Sequence, residues 1–304
     1  VQEQLIARIE EQKASRRAVI LVHNYQPAEI QDIGDYVGDS LGLSRTAAET
    51  DAEVIVFCGV HFMAETAAIL CPGKTVLMPD ERAGCPMANM VQPRKLAELK
   101  AGHPDATVVT YVNSSAETKA LSDVCCTSAN AVAVVESLPA ETPVIFVPDR
   151  NLGQYVERKT GRKLILWNGY CPTHERIRPG FVRAARAANP EAVLVVHPEC
   201  PPEVVDLADH VASTTGILRY CAESAATTFI IGTEVGLLHR LQKENPGKTF
   251  VPATEIADCP NMKLTDLQSV LWCLEELRPV ITVDPDVAAK ARRPIERMLE
   301  VTGG

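Results

Sequence analysis

The chain has no apolar run approaching the roughly 18 residues that a membrane-spanning helix needs. Its N-terminus lacks the basic-then-apolar layout of a secretory signal, so a cytoplasmic location is expected. Basic residues are in deficit: 30 Lys and Arg stand against 39 Asp and Glu, for a net charge of −9. Nucleic acid is thereby excluded as a main partner, because phosphate binding needs concentrated Lys and Arg. Long linkers, low-complexity tracts and charge blocks are also missing. What remains is 304 residues with 46% hydrophobic content, enough for two or three domains with substantial burial. The ten cysteines, in a chain without a secretion signal, are expected to be reduced rather than paired.

Three of those cysteines are each followed by proline: Cys85-Pro86, Cys171-Pro172 and Cys259-Pro260, at intervals of 86 and 88 residues. A second series runs His23-Asn24-Tyr25, Tyr111-Val112-Asn113 and His197-Pro198-Glu199, with offsets of 88 and 86. A third is Ser40, Ser128 and Thr214, again offset by 88 and 86. A period of about 87 is too long for a solenoid repeat of roughly 20–50 residues and fits three copies of a small α/β unit.

Each copy reads alike. An apolar run (AVILV, TVVT, AVLVV) ends in the polar triplet, and a helical stretch follows. A hydroxyl residue then opens a new segment. Further apolar runs alternate with helical ones: EVIVFCG and TVLMPD, VIFVPD and KLILWN, TFIIGTE and TFVPAT. This alternation predicts parallel sheets covered by helices, with ligands beyond the carboxyl ends of the strands. Outside the repeats, residues 2–14 carry a stripe of Leu5, Ile6 and Ile9, and residues 264–277 a stripe from Leu267 to Leu277. Both are expected to pack over the outside.

Three sulfur ligands meeting at one point would leave a metal with an open position, since zinc and four-iron clusters usually take four protein ligands. Spacing alone leaves a three-cysteine metal site and coincidence both standing. The other seven cysteines do not recur in all three copies. Cys58 and Cys273 sit among apolar neighbours and read as core thiols. Cys125 and Cys126 read as two packed thiols, because adjacent cysteines form at best a strained disulfide.

The stretches HNYQPAEIQDIGDYVGDSLGLSR, GVHFMAETA, CPMANM, YVNSSAETKALSDVCCTSANAV, PDRNLG, GYCPTH, VHPECP, IGTEVGLLHRL and CPNMK, in this order, resemble the quinolinate synthase family over essentially the full length. The resemblance implies three similar three-layer α/β/α domains around a pseudo-threefold axis, with the active site at the central interface. The units then fall at 15–100, 101–185 and 186–262, with a helix at 1–14 and helices at 263–304. It implies condensation of iminoaspartate with dihydroxyacetone phosphate to quinolinate, for NAD biosynthesis. It implies a 4Fe-4S cluster held by Cys85, Cys171 and Cys259, whose unliganded iron acts as a Lewis acid. An aspartate-oxidising enzyme that supplies iminoaspartate is the implied functional partner. Some longer members carry a CxxC pair around the third ligand. Here Ala257-Asp258-Cys259-Pro260-Asn261-Met262 has none, so no thiol switch is expected there.

Ser40, Ser128 and Thr214 read first as helix N-caps. Their common phase, with the family likeness, assigns them to binding substrate phosphate and carboxylates at helix N-termini. Tyr25 is the candidate for proton transfer next to the ketose carbonyl. A phenol needs help to ionise, and His23 and His197 are placed to give it. The resemblance carries an acid–base role onto Glu199. Tyr111 and Asn113 are expected to orient a carboxylate. His174, in Cys-x-x-His spacing with Cys171, reads either as a zinc half-site or, by resemblance, as a substrate contact. His61, His103, His210 and His239 fall outside the repeat phase and read as structural or surface residues. Two other readings are a three-domain diphthamide-type radical enzyme, which HNYQ and GDSLGLSR speak against, and a non-catalytic zinc or cluster protein, which would need a fourth ligand.

Overall fold

Apolar, β-branched runs form three four-stranded sheets in the computed structural model, which describes residues 2–301. Val1 and residues 302–304, the extremes of the expected terminal helical stretches, lie outside the described residues. The first sheet holds β1 (Ala18–His23), β2 (Tyr36–Gly38), β3 (Val54–Cys58) and β4 (Thr75–Leu77). The second holds β5 (Thr107–Tyr111), β6 (Val124–Cys126), β7 (Val144–Val147) and β8 (Ile165–Leu166). The third holds β9 (Val193–Val196), β10 (His210–Val211), β11 (Thr228–Gly232) and β12 (Thr249–Pro252). Their strand orders are β2-β1-β3-β4, β6-β5-β7-β8 and β10-β9-β11-β12, so one topology occurs three times. Every pairing within the sheets is parallel.

Alternation along each central strand divides the apolar side chains between two cores. Val19 and Leu21 of β1, Val109 and Tyr111 of β5, and Val195 of β9 all enter one shared cluster. Their neighbours face outward into three separate clusters: Ile20 and Val22, Val108, and Leu194 and Val196. Each sheet is therefore covered on both faces, and its inner face packs into the core that all three share. Phe146 lies fully buried in that core. Its truncation to alanine would cost about 3–5 kcal/mol.

The expected terminal helices are present. Helix Gln2–Ser15 and helix Leu267–Glu276 pack against each other and over the outer face of the first sheet. Helix Pro285–Glu300 does not simply cover the outside. Its Ala291, Ile295 and Met298 enter the shared core, against the first and second units. Arg292 donates to the carbonyls of Ile69 and Leu70, and Arg297 donates to that of Asp123 at 2.6 Å. None of the described helices is long and apolar enough to cross a membrane.

Candidate active site

In each sheet the first and third strands of the unit lie side by side although they are not consecutive, which makes a topological switch point. Ligands bind at such points, beyond the strand carboxyl ends. Here β1 ends in His23, β5 in Tyr111, and β9 runs directly into His197. The three polar triplets are thus delivered to three equivalent positions. The three Cys-Pro sites follow the fourth strands β4, β8 and β12. Side-chain bonds join the cysteine loops across units. Asn261 Nδ2 donates to the Gly84 carbonyl at 2.7 Å, and Trp167 Nε1 to the Met90 carbonyl at 3.0 Å.

Members of all three series open on one cavity of about 180 Å³. Cys85, Cys171 and Cys259 line it, as do Ser40, Ser128 and Thr214. So do His23, Tyr25, Tyr111, Asn113, His174, His197 and Glu199. Two of the three hydroxyl residues differ from their expected place by one step. Asp39 and Ser213 are the caps, accepting from Gly42 N at 2.8 Å and Gly216 N at 3.2 Å. Ser40 and Thr214 are the first helical residues, and Ser128 sits in a turn before the short helix Ala131–Glu136. Relieved of capping, Thr214 Oγ1 accepts from Asn24 Nδ2 at 3.0 Å, and Ser128 Oγ meets His197 Nε2 at 3.1 Å.

A chain of polar contacts crosses the cavity wall. The Tyr25 hydroxyl lies 2.7 Å from Thr233 Oγ1, which lies 2.8 Å from His174 Nε2. His174 Nδ1 is 2.7 Å from Glu199 Oε2 and 3.1 Å from Cys171 Sγ. His197 stacks on His174 with ring centroids 4.7 Å apart. Buried Glu199 Oε1 and Asn113 Oδ1 have no protein partner, so two acceptors are left for a ligand's donors.

Burial sets the charge states. It would raise the Glu199 carboxyl, but His174, His197 and the Tyr111 hydroxyl together hold it well below its usual range, as an anion. Burial pushes the His23 and His197 imidazoles down to about 3, so both are neutral. Burial, then the Glu199 charge, raises Tyr25 well above an ordinary phenol. It is a proton donor at neutral pH. Burial pushes the Cys85 thiol up to about 12 and also raises Cys171 and Cys259. Three such thiols become thiolates when a cation binds them.

Known proteins point the same way as this geometry. A family model described as "NadA: Quinolinate synthetase A protein" matches residues 7–300. The chain belongs to this family. A quinolinate synthase of Geobacter sp. (strain M21) is 56% identical over 300 residues, covering 99% of this chain and 98% of that one. Proteins of the same name from Geotalea uraniireducens (strain Rf4) and Methanosarcina barkeri (strain Fusaro / DSM 804) are 57% and 55% identical. They cover 94% and 99% of this chain, and 94% and 98% of their own lengths.

In this member of the quinolinate synthetase A family, the sequence pattern did not mark Thr233, Glu234, Lys263 and Asp149. Thr233 and Glu234 follow β11 at the switch point, where a strand-end reading of TFIIGTE would have marked them. Glu234 is buried and accepts from Cys259 N at 3.1 Å and Gly236 N at 2.7 Å. Lys263 pairs with it at 2.9 Å and donates to the Tyr25 carbonyl. One carboxylate thus ties the third cysteine loop to the tyrosine loop of the first unit. Gly236 leaves room for this: a Cβ there would stand 2.7 Å from both Glu234 Oε2 and the Tyr25 carbonyl. Asp149 caps helix Arg150–Thr160, whose Asn151 Nδ2 donates to the Glu199 carbonyl at 3.0 Å.

Proposed function

We propose that this protein is a quinolinate synthase that joins iminoaspartate to dihydroxyacetone phosphate, releasing phosphate and two waters. The observation that carries the reading is the single cavity into which three equivalent units each deliver a thiol, a hydroxyl residue and a strand-end polar triplet. Relatives at 53–57% identity with that name support it.

Cys85, Cys171 and Cys259 would hold a 4Fe-4S cluster. The donor set fits. A single zinc with Zn–S bonds of about 2.3 Å brings its sulfurs within about 3.8 Å of one another. Among the described residues, the metal-type donors gathered within 4.8 Å are Cys171, His174 and Glu199, not the three sulfurs. Thiols spread wider than a mononuclear site suit a cluster, in which each thiolate takes a different iron. When bound, the cluster supplies a Lewis-acidic iron that no protein thiolate saturates.

The chain's own residues do the rest. Ser40, Ser128 and Thr214 offer hydroxyls to the phosphate and carboxylates. Ser40 and Thr214 do so at the positive N-terminal ends of ten-residue helices. Ketose isomerisation moves a proton beside a carbonyl. Glu199, ionised, is the base for it. Tyr25, neutral and held by Thr233, donates to the developing enolate oxygen. His23 and His197, uncharged, orient substrate groups without adding charge. Asn113 and Tyr111 position a carboxylate, and His174 contacts substrate beside the cysteines. We place the reaction in the cytoplasm, beside an enzyme that oxidises aspartate and supplies the unstable imine.

An anaerobic assay with both substrates, following quinolinate, tests the reading. Brown protein is expected. Cys85→Ser, Cys171→Ser and Cys259→Ser should each lose colour and activity together. Active colourless protein would overturn it.

A further inference from the structure

We infer that the groove between the first turns of helices Ser40–Glu49 and Thr214–Glu223 is the way into the cavity, and that Arg45, Arg219 and Arg240 on its walls draw small anions to it. The groove holds about 350 Å³. The three arginines line the groove and not the cavity itself.

Chain neighbours on three turns fix its place. Ser40, Ser128 and Thr214 line the cavity. Leu41, Ala129, Ser213 and Thr215, each next to one of them in sequence, line the groove. One turn from each unit therefore stands between the two spaces, with its hydroxyl residue on the cavity side. The groove lies on the outer side of that ring of hydroxyls, where all three units meet. Asp39 belongs to both linings, so the two spaces adjoin there. Gly38, Gly42, Gly216 and Ala129 edge the groove, and such small side chains leave room for a ligand to pass.

The chain as a whole carries a net charge of −9 and repels anions. In the groove the sign reverses. Three arginines face one acid, Asp39, whose Oδ1 already accepts from Gly42 N at 2.8 Å. Arg45 is steadied by a neutral group, the Leu299 carbonyl at 3.1 Å. Arg219 is exposed and stands one helical turn beyond Thr215, on the same face. Arg240 pairs with Glu244 at 2.6 Å, which offsets part of its charge. Its Nη1 also donates to Asn24 Oδ1 at 2.9 Å, and Asn24 Nδ2 donates to Thr214 Oγ1 at 3.0 Å. A polar relay thus runs from a groove cation through the wall to a cavity hydroxyl. A cleft dominated by one sign of charge focuses the field and speeds arrival of the opposite sign by about 10–1,000-fold. Guanidinium forks match phosphate and carboxylate groups alike, so the ligand class is a small molecule bearing either. That these anions are the two substrates rests on the proposed function; the passage and its charge do not.

The test uses the full chain freed of iron, reduced and anaerobic, and reads the thiols at the inner end. Two methanethiosulfonates of like size serve as probes, one carrying a sulfonate and the other a trimethylammonium group. Each thiol gives its proton to solvent, attacks the reagent's sulfenyl sulfur, forms a mixed disulfide and expels methanesulfinate. Mass spectrometry follows Cys85, Cys171 and Cys259. The anionic rate over the cationic rate, divided by the same ratio for a free thiol, should exceed about 10 at about 0.01 M salt. It should fall to about 1 at about 1 M salt, where the Debye length shrinks from about 30 Å to about 3 Å. Arg45→Gln and Arg219→Gln should each lower the low-salt ratio about threefold. Arg94→Gln, an exposed cation outside the groove, should leave it unchanged. Thr215→Trp, at an exposed position of the lining, should slow both reagents alike. A parent ratio of about 1 at low salt would overturn the inference. So would arginine variants that keep the parent ratio, or a Thr215→Trp chain modified as fast as the parent. Arg219 is exposed, so its variant tests the charge even where Arg45→Gln weakens the fold. Quinolinate is not read in this labelling, so failure of the proposed reaction and failure of the passage are told apart.

Discussion

Replacing Lys263 by methionine removes the cation paired with buried Glu234 while keeping most of the side chain's volume. Orphaning a fully buried charge costs about 3–5 kcal/mol. Two features reduce that figure here. Lys263 is 27% exposed, so part of the pair is screened by water. Glu234 also keeps its bonds from Cys259 N and Gly236 N. The expected loss for Lys263→Met is therefore about 2–3 kcal/mol. Adding Glu234→Gln removes the stranded charge and should return about 1–2 kcal/mol. Urea unfolding of the parent, both single variants and the double variant, followed by circular dichroism, measures this cycle. The pH dependence gives a second readout. Burial already raises the Glu234 carboxyl, and losing Lys263 raises it further. A raised carboxyl stabilises the fold when protonated and loses that contribution as pH rises. The deficit of Lys263→Met should thus shrink as pH falls from 7 toward 5. A double variant no more stable than Lys263→Met would refute the reasoning, as would a single-variant loss under about 0.5 kcal/mol.

Tyr25→Phe should lower turnover at least 100-fold while costing only about 1 kcal/mol of stability, the worth of its bond to Thr233. Steady-state kinetics beside thermal melts check both. Thr233→Val, which removes the hydroxyl that meets both Tyr25 and His174, should reduce kcat more than it raises KM. Gly169→Ala should destabilise by about 2–3 kcal/mol and disturb the Cys171 loop, because its Cβ would meet the Pro148 carbonyl oxygen at 2.4 Å. Denaturation midpoints and cluster content measure this. His23 is depressed to about 3 by burial, so the unfolded chain binds its proton first. Its contribution is present above about pH 6.5 and is lost as pH falls toward 3, at about 1.4 kcal/mol per pH unit. His23→Gln should flatten that slope in urea unfolding at stepped pH.

The triplication was legible because three residue types recur in one phase: cysteine before proline, a hydroxyl, and a strand-end polar triplet. That same phase gathered every candidate lining residue but His174, which its spacing from Cys171 supplied. Glu234 escaped because its phase-matched positions hold Pro148 and Val60, so nothing polar recurs. Thr233 escaped likewise, opposite Val147 and Gly59. Its importance comes from contacts with Tyr25 and His174, which lie far away in sequence. The caps were misplaced by one residue because Asp39-Ser40 and Ser213-Thr214 each present two residues able to cap, and sequence alone does not rank them. Helix Pro285–Glu300 has an apolar stripe like any covering helix. Its insertion between units depends on the Arg292 and Arg297 contacts, which no local pattern encodes.

The Ser128 turn is held by Asn130, whose Oδ1 accepts from Thr127 N at 2.8 Å. The amide of Asn130 in turn donates to the carbonyls of Met298 and Val301, at 3.0 and 3.1 Å. The first of those contacts spans 168 residues, so at about 5–20 residues per second it waits about 8–34 s after Asn130 is synthesised. The first sheet can close within that interval, but the Ser128 turn lacks its Asn130 contacts to the C-terminal segment until residues near 300 have left the ribosome. Metal delivered to the nascent chain would therefore meet thiols before it meets a finished pocket.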